Sequence, residues 1–298
     1  MWYAADIAER LKAASGYGQA VTSPKFDWDS FKPRRDEYIV RLNGIYERNL
    51  AKEGVEYHAG WAELVDAHTV RVKSASGEVY DLPADQILVA TGGKPTIPNI
   101  PGAELGIDSN GFFALTTQPK RVAIVGAGYI AVEIAGIFNA LGSETNLLIR
   151  HEKVLRTFDP AIQDVLTSWM EHTGVNIHKK TLIERVEGQQ GGPLTIHTTD
   201  GKSLEVDCLL WAIGREPLIH DIGLDKVGVK TGPHGVVVDE YQNTSVPNIT
   251  AVGDVAGKAL LTPVAIAAGR RLANRLFGPE KFKADKLSYD NIPTVVFS

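Results

Sequence analysis

Cysteine is almost missing from this sequence, with one residue among 298. A single thiol allows no intramolecular disulfide and no cysteine-rich metal site, which excludes disulfide-stabilised folds and zinc modules. The eight histidines show no metal-ligand spacing, and the sequence contains no G-x-S-x-G turn of a serine hydrolase. We therefore expect no metal site and no serine hydrolase.

Long apolar runs and excess positive charge are also scarce. No apolar run reaches the roughly 18 residues that a membrane-spanning helix needs, and the first residues lack the pattern of a signal peptide. The 31 Lys and Arg residues are outnumbered by 36 Asp and Glu, which gives a net charge of -5. A nucleic-acid-binding protein normally carries a basic field, so we expect no nucleic acid as a partner. Because long apolar runs are lacking, we expect no membrane as a partner either.

The segments that are present alternate between apolar strands and amphipathic helices, which is typical of an α/β protein. Helices are predicted from the first residues and over 33–53, 129–141, 162–171 and 262–277. Strands are predicted over 55–59, 69–73, 86–90, 121–125, 146–149, 175–178, 194–197, 203–210, 236–238, 249–252 and 294–297. A proline-rich connection with Pro95, Pro98 and Pro101 suggests a crossing between domains.

A glycine turn lies between the predicted strand 121–125 and the predicted helix 129–141. Its residues, 126–131, read Gly-Ala-Gly-Tyr-Ile-Ala, which matches the G-x-G-x-x-G/A pattern in the strand-to-helix context that the pattern requires. The first glycine makes the tight turn, the second allows a pyrophosphate to approach, and Ala131 allows close packing of helix on strand. The turn therefore predicts a dinucleotide site at the start of this helix.

Two arginines follow the second strand of this βαβ unit. A fold that prefers NAD places an acidic residue there, about 20 residues after the turn. This sequence has Arg150 instead, with Arg156 close behind, and paired guanidinium groups are a usual means of holding a 2′-phosphate. The pair favours NADPH. The alternative is a solvated basic turn balanced by Glu152.

Two further glycine turns flank this unit in the sequence, Thr91-Gly92 and Gly253-Asp254, and each follows an apolar strand. Asp254 could accept a hydrogen bond from a cofactor hydroxyl, or it could cap the segment that follows it. Together with the segments at 90–93, 126–133, 150–156, 210–215 and 252–263, these turns resemble the glutathione reductases among the flavin disulfide reductases. The resemblance runs in order along the whole chain.

The resemblance implies an α/β fold in which an incomplete FAD-binding domain is interrupted by a complete Rossmann-like NADPH-binding domain. Residues 1–118 and 219–285 would form the FAD-binding part, 119–218 the NADPH domain, and 286–298 the start of a dimer-interface domain. Electrons would pass from NADPH to FAD, then to a cysteine pair, and then to glutathione disulfide. A homodimer is the family's assembly, and a cytoplasmic location, with a mitochondrial form as the alternative, is expected.

Residue roles are also implied by the resemblance. Tyr129 would cover the flavin and Glu133 would position the nicotinamide. The residues expected at NADPH are Gly126, Ala127, Gly128, Tyr129, Ile130, Ala131, Glu133, Arg150, Arg156, Gly214, Arg215, Leu260 and Val295. Those expected at FAD are Ala62, Thr91, Gly92, Asp254 and Thr262, and those at glutathione are Tyr46 and Arg270. For Tyr46, packing on its own helix is the alternative.

The sequence departs from the family in three places. It contains neither the first FAD-binding glycine turn nor the cysteine pair that follows it, and it does not contain the interface domain with its acid-base histidine. Cys208 lies in an apolar strand, where a thiol is usually an inert packing residue. We therefore expect a sequence shortened at both ends, with no catalytic residue in this chain, little flavin bound and no disulfide reduction by the chain alone. The alternative is a genuine NADPH-binding module without chemistry.

Overall fold

The computed structural model describes residues 1–20 and 25–298, and this part of the chain contains six α-helices. They are α1 (Trp2–Ala13), α2 (Trp28–Lys52), α3 (Ser109–Ala114), α4 (Tyr129–Ala140), α5 (Pro160–His172) and α6 (Thr262–Phe277). Short 3₁₀ turns cover Ala14–Tyr17, Ala103–Leu105, Gly253–Ala256 and Glu280–Phe282. Among the described residues, no helix is both long and apolar enough to cross a bilayer.

The strands are short and most of them belong to small sheets. In chain order they are β1 (Gly60–Asp66), β2 (Thr69–Ser74), β3 (Val79–Pro83), β4 (Ile87–Val89), β5 (Gly93–Pro95), β6 (Arg121–Val125), β7 (Glu144–Leu148), β8 (Asn176–His178), β9 (Ile183–Gly188), β10 (Leu194–Thr198), β11 (Ser203–Val206), β12 (Cys208–Trp211), β13 (Arg215–Pro217), β14 (Thr231–Gly232), β15 (Gly235–Val236) and β16 (Ile249–Ala251).

The chain divides into two compact units. The first unit consists of Met1–Arg41, Pro95–Gly214 and Thr294–Ser298, and the second consists of Leu42–Lys94 and Arg215–Pro293. The predicted domain limit at 118 differs from these limits. The physical reason is packing, because Ala5 of α1 and Trp28 of α2 belong to the same buried cluster as Phe138 of α4. Which nucleotide each unit binds stays a prediction.

The first unit is built on a parallel sheet with strand order β12-β6-β7-β8. Val122, Ala123 and Ile124 of β6 are fully buried, as expected for a parallel strand that is covered on both faces. Helix α4 packs beside this sheet with a core of buried apolar side chains, and Trp28 stacks on Phe138 at 6.2 Å. A separate antiparallel sheet of order β11-β10-β9 completes the unit.

The second unit contains an antiparallel sheet of order β1-β2-β3 and a parallel pair formed by β16 and β4. The parallel pair is in register from Ile249 opposite Ile87 to Ala251 opposite Val89. Its buried cluster consists of Leu64, Ile87, Val89, Ile222, Leu224, Val229, Val236, Ile249, Ala251 and Val255. The core of this unit therefore surrounds the parallel pair.

Several predicted elements differ from the structure. The strand predicted over 55–59 is wrong, because Val55 and Tyr57 are exposed and strand pairing begins only at Gly60. The strand predicted over 294–297 is not formed either, and the strand at 236–238 is reduced to β15. Helix α2 begins at Trp28 rather than 33, because the Asp27 carboxylate accepts the Ser30 N–H at 3.1 Å.

The strand predicted over 203–210 is divided into β11 and β12 at Asp207. The Asp207 carboxylate accepts the backbone N–H of Arg121 at 2.9 Å and pairs with its guanidinium at 2.8 Å. β11 pairs with β10 in the antiparallel sheet, whereas β12 pairs with β6 in the parallel sheet. This ion pair therefore marks the point where the chain passes from one sheet to the other.

Candidate functional site

The glycine turn after β6 is a position where a side chain cannot fit. Gly126 has φ of 141°, and a Cβ built there would lie 2.1 Å from the Ala212 carbonyl oxygen. Its N–H donates to the Leu148 carbonyl at 3.1 Å, which ties the turn to the end of β7. Glycine is required at this position for both reasons, its backbone conformation and the close approach of another chain segment.

The space above the start of α4 is open. Gly128 is the N-cap of this helix in an extended conformation, and a Cβ built on it would meet nothing within 4 Å. Among the described residues, no side chain caps this helix end. The first turn of a helix exposes backbone N–H groups and the positive end of the helix dipole. The turn is therefore shaped and polarised to accept an anion such as a pyrophosphate.

The loop between β7 and α5 carries the two arginines predicted at this site. Three lysines near them are held by carboxylates, since Lys153 pairs with Asp164, Lys179 with Glu171 and Lys180 with Glu152. Arg150 and Arg156 are exposed, and neither guanidinium has a partner among the residues that the structure describes. In this basic segment, the two arginine side chains are thus available to bind an anion.

A backbone contact joins the arginine loop to the glycine turn. The Leu155 N–H donates to the Ala127 carbonyl at 2.7 Å, and Leu155 itself has φ of 52° with its side chain buried. A residue with a bulky side chain rarely adopts this left-handed conformation. Nothing in the sequence signals it, and we did not predict Leu155 as a site residue. The contact fixes the position of Arg156 relative to the turn.

Glu133 lies on α4, one turn after Tyr129, and contacts the end of the described chain. Its Oε1 accepts the Phe297 N–H at 3.1 Å. Burial raises the pKa of this carboxyl above its usual value, and the Phe297 hydrogen bond acts in the opposite direction. Val295, which was predicted at NADPH, is 72% exposed.

In the second unit, two predicted turns meet at one edge of the parallel pair. Strands β4 and β16 run in the same direction, so Thr91-Gly92 and Gly253-Asp254 follow their neighbouring carboxyl ends. The Val252 N–H donates to the Val89 carbonyl at 3.1 Å and extends this pairing by one step. The Thr91 hydroxyl donates to the Leu218 carbonyl at 2.7 Å and is used within the protein.

A cavity of about 100 Å³ in the second unit brings together Arg215, Asp254 and Leu260. The Arg215 guanidinium donates to the Gly93 carbonyl at 2.5 Å, so at least one of its donors is used internally. Sequence reasoning assigned Arg215 and Leu260 to one cofactor and Asp254 to the other. The structure gathers the three residues around a single small cavity.

The remaining predicted residues are dispersed. Ala62 lies on β1 opposite Val72, and Thr262 is the first residue of α6. Gly214 has φ of 142°, and its carbonyl accepts the Thr96 N–H at 3.0 Å. Tyr46 on α2 and Arg270 on α6 are exposed, and among the described residues no hydrogen bond or ring contact joins them.

Cys208 is a packing residue of β12. It is a free, buried thiol, and burial together with the nearby Asp207 carboxylate raises its pKa to about 12. A thiol of this kind remains protonated at neutral pH and is a poor nucleophile. Across the described part of the chain, no group of three or more His, Cys, Asp or Glu residues could hold a metal ion.

The parallel sheet, the glycine turn and the helix that follows it define the first unit as a dinucleotide-binding fold of the FAD/NAD type. The family model described as "Pyridine nucleotide-disulphide oxidoreductase" matches residues 5–269. The chain therefore belongs to the pyridine nucleotide-disulphide oxidoreductase family. The α/β fold class predicted from the sequence is confirmed.

Curated relatives support the more specific resemblance. The chain is 51% identical to a glutathione reductase of Yarrowia lipolytica and 51% identical to one of Schizosaccharomyces pombe. Each comparison covers all of this chain, but only 66% and 65% of the respective relative. The predicted similarity to glutathione reductases is confirmed, and the chain spans just under two thirds of their length.

A solved structure has the same fold. The HOCl-induced flavoprotein disulfide reductase RclA from Escherichia coli is similar with a TM-score of 0.83 and 28% identity. The similarity covers 92% of this chain and 62% of that one. This neighbour is a flavoprotein, which agrees with the dinucleotide-binding fold of the first unit.

Proposed function

We propose that this chain supplies the NADPH-binding part and a portion of the FAD-binding part of a glutathione-disulfide reductase. The observation that carries the proposal lies in the first unit. An open glycine turn is joined there to a loop with two arginines that have no partner among the described residues. Relatives at about 50% identity are glutathione reductases. The resemblance to that family suggests glutathione disulfide as the substrate and a homodimer as the assembly.

When bound, NADPH would supply a hydride and FAD would carry its electrons onward to a disulfide. The chain's own residues bind and orient. Gly126 makes the tight turn, and Gly128 lets the pyrophosphate approach the first turn of α4, where N–H groups would face it. Arg150 and Arg156 bind the 2′-phosphate, and Glu133 orients the nicotinamide end.

The residues proposed for FAD and glutathione belong to the second unit. Asp254 would accept a hydrogen bond from an FAD hydroxyl at the edge where Thr91 and Gly92 also lie. Tyr46 and Arg270 are proposed to contact glutathione, because both side chains are exposed. These roles rest on the resemblance to the relatives.

Disulfide reduction by these 298 residues alone is not expected. The chain's one cysteine is buried with its pKa raised to about 12, so it offers no thiolate for exchange. For the isolated chain this favours a second function, an NADPH-binding module without disulfide chemistry. Purified chain that reduces glutathione disulfide with NADPH would contradict this expectation.

The test of the proposal is the double variant Arg150→Gln, Arg156→Gln. Each charge-assisted hydrogen bond contributes about 1.5 to 3 kcal/mol, so NADPH affinity should fall about 100-fold or more while NADH affinity changes little. Calorimetric titration of the purified chain measures both.

The matched control is the double variant Lys153→Gln, Lys180→Gln. It also removes two positive charges from this segment, but from lysines that already have carboxylate partners. This control should retain the preference for NADPH. Equal losses of NADPH and NADH affinity in the arginine variant, or equal losses of NADPH affinity in the two double variants, would exclude the arginines as readers of the 2′-phosphate.

A further inference from the structure

Polar side chains of α5 form hydrogen bonds with the backbone of the loop that carries Arg156. These side chains have no role in the function proposed above. This helix begins sharply, because Asp159 caps it by accepting the Ala161 N–H at 2.8 Å and Pro160 occupies its first turn. The first turns of α5 are therefore well ordered, and their side chains can form hydrogen bonds with the loop that precedes the helix.

Gln163 makes the contact nearest to the arginine. Its side-chain Nε2 donates to the Phe158 carbonyl at 2.8 Å and, at the longer distance of 3.4 Å, to the Arg156 carbonyl. The Phe158 N–H in turn donates to the Leu155 carbonyl at 2.8 Å and closes a tight turn around Arg156. Gln163 therefore holds the C-terminal side of this turn.

The N-terminal side of the same turn is held by the dinucleotide turn itself. Leu155, in its left-handed conformation, donates its N–H to the Ala127 carbonyl at 2.7 Å. Strained backbone of this kind persists only where the surroundings fix it, and such residues cluster at functional sites. Arg156 is thus placed between two anchored residues, Leu155 and Phe158, while its own guanidinium has no partner in the part of the chain that the structure describes.

The upstream part of the loop is held by the same helix. The Thr167 hydroxyl accepts the Val154 N–H at 3.2 Å and donates to the Gln163 carbonyl at 2.7 Å. Thr167 lies one helical turn after Gln163, so both side chains are on the same face of α5. This face orders the loop on both sides of Arg156.

We infer that Gln163 is a positioning residue for 2′-phosphate selectivity, acting through the backbone of Arg156. The inference rests on the proposed NADPH function of the first unit. A free arginine on a mobile loop would lose conformational entropy on binding, whereas a fixed backbone removes part of that loss before the ligand arrives. Removal of the Gln163 amide should weaken binding of the 2′-phosphate and leave the rest of the nucleotide site unchanged.

The experiment compares two ligands that differ only in the 2′-phosphate, adenosine 2′,5′-bisphosphate and adenosine 5′-monophosphate, by calorimetric titration of the full chain. Wild type should bind the bisphosphate more tightly. Gln163→Met should reduce the ratio of the two affinities about three- to tenfold, the range for one hydrogen bond, with the affinity for the monophosphate unchanged. In an Arg156→Gln background, Gln163→Met should leave the ratio unchanged, since the two residues act in series.

The matched control is Gln118→Met. Gln118 also donates from its amide to two oxygens of the first unit, the Leu141 carbonyl at 3.0 Å and the Ser143 hydroxyl at 3.0 Å, but at the other end of α4. If Gln163→Met does not fold, Gln163→Asn, which is one methylene too short for the contact, replaces it.

A wild-type preference for the bisphosphate that survives Gln163→Met as fully as Gln118→Met would overturn the role of Gln163 and leave the proposed function intact. Equal wild-type affinities for the two ligands would instead overturn the proposed 2′-phosphate site, and the role of Gln163 with it. An effect of Gln163→Met that persists undiminished in the Arg156→Gln background would show that Gln163 acts independently of that arginine, against the inference.

Discussion

In each unit, a glycine closely follows a buried parallel strand, but the structure of the chain after that glycine differs between the units. In the first unit, α4 begins three residues after Gly126 and directs its first turn at the open space above Gly128. In the second unit, Gly253 starts a 3₁₀ turn, and α6 begins only at Thr262. The same strand-glycine pattern therefore leads to two different surroundings.

The charges at the two turns differ accordingly. The first turn carries the N-terminus of α4. The loop joined to it carries Arg150 and Arg156, whose guanidinium groups have no partner among the described residues, and this combination suits a phosphorylated ligand. The second presents the carboxylate of Asp254 beside an arginine already engaged with the Gly93 carbonyl. A glycine turn thus permits close approach, whereas the groups around it decide whether an anion or a hydroxyl is accepted.

The largest expected effect separates the two glycines by steric cost. Gly126→Ala places a Cβ 2.1 Å from a backbone oxygen at φ of 141°, so we expect a loss of about 3 kcal/mol or more. Gly253→Ala meets only the Ala265 Cβ at 3.3 Å at φ of 77°, and about 1 to 2 kcal/mol is expected. Urea unfolding of both variants measures the difference, and equal losses would remove the steric distinction between the turns.

A smaller effect is expected at Cys208, and it tests whether this residue within a strand is as unreactive as its burial indicates. Cys208 lies within the sheet of the first unit, and its pKa is raised from 9.0 to about 12 by burial and by Asp207. The folded state therefore keeps the proton that the unfolded state loses, so this thiol's contribution to stability is present below pH 9 and is lost as pH rises towards 12.

Two measurements check this behaviour. Alkylation of the native protein at pH 9 should be at least about tenfold slower than that of the urea-unfolded chain. Between pH 9 and 12, the free energy of unfolding should fall less steeply in Cys208→Ala than in wild type. Rapid alkylation of the native protein would instead identify Cys208 as an accessible thiolate.

In the first unit, sequence patterns predicted the strand, the glycine turn and the helix, but not the residues that hold the arginine loop in place. The strand 121–125, the glycine turn and helix α4 were recognisable because apolar runs and glycines carry local signals. Leu155 was not, since its left-handed backbone follows from a contact with Ala127 that is distant in sequence. Gln163 was missed for a related reason, because a glutamine on a helix has no pattern that reveals which carbonyls it reaches.

The errors in secondary structure have tertiary causes as well. Apolar and polar residues alternate over 55–59, but no strand of the described residues pairs with them, and Tyr57 is exposed. The run at 203–210 is continuous in sequence and is broken only because Asp207 binds Arg121. Propensity described these segments correctly as extended or apolar, while pairing partners decided their final structure.

The central claim is that the first unit recognises the 2′-phosphate of a dinucleotide through Arg150 and Arg156. Its most direct test is the relative affinity of the purified wild-type chain for NADPH and NADH at one ionic strength. Two charge-assisted contacts predict that NADPH binds at least about 100-fold more tightly. Equal affinity for the two nucleotides, or tighter binding of NADH, would contradict this account.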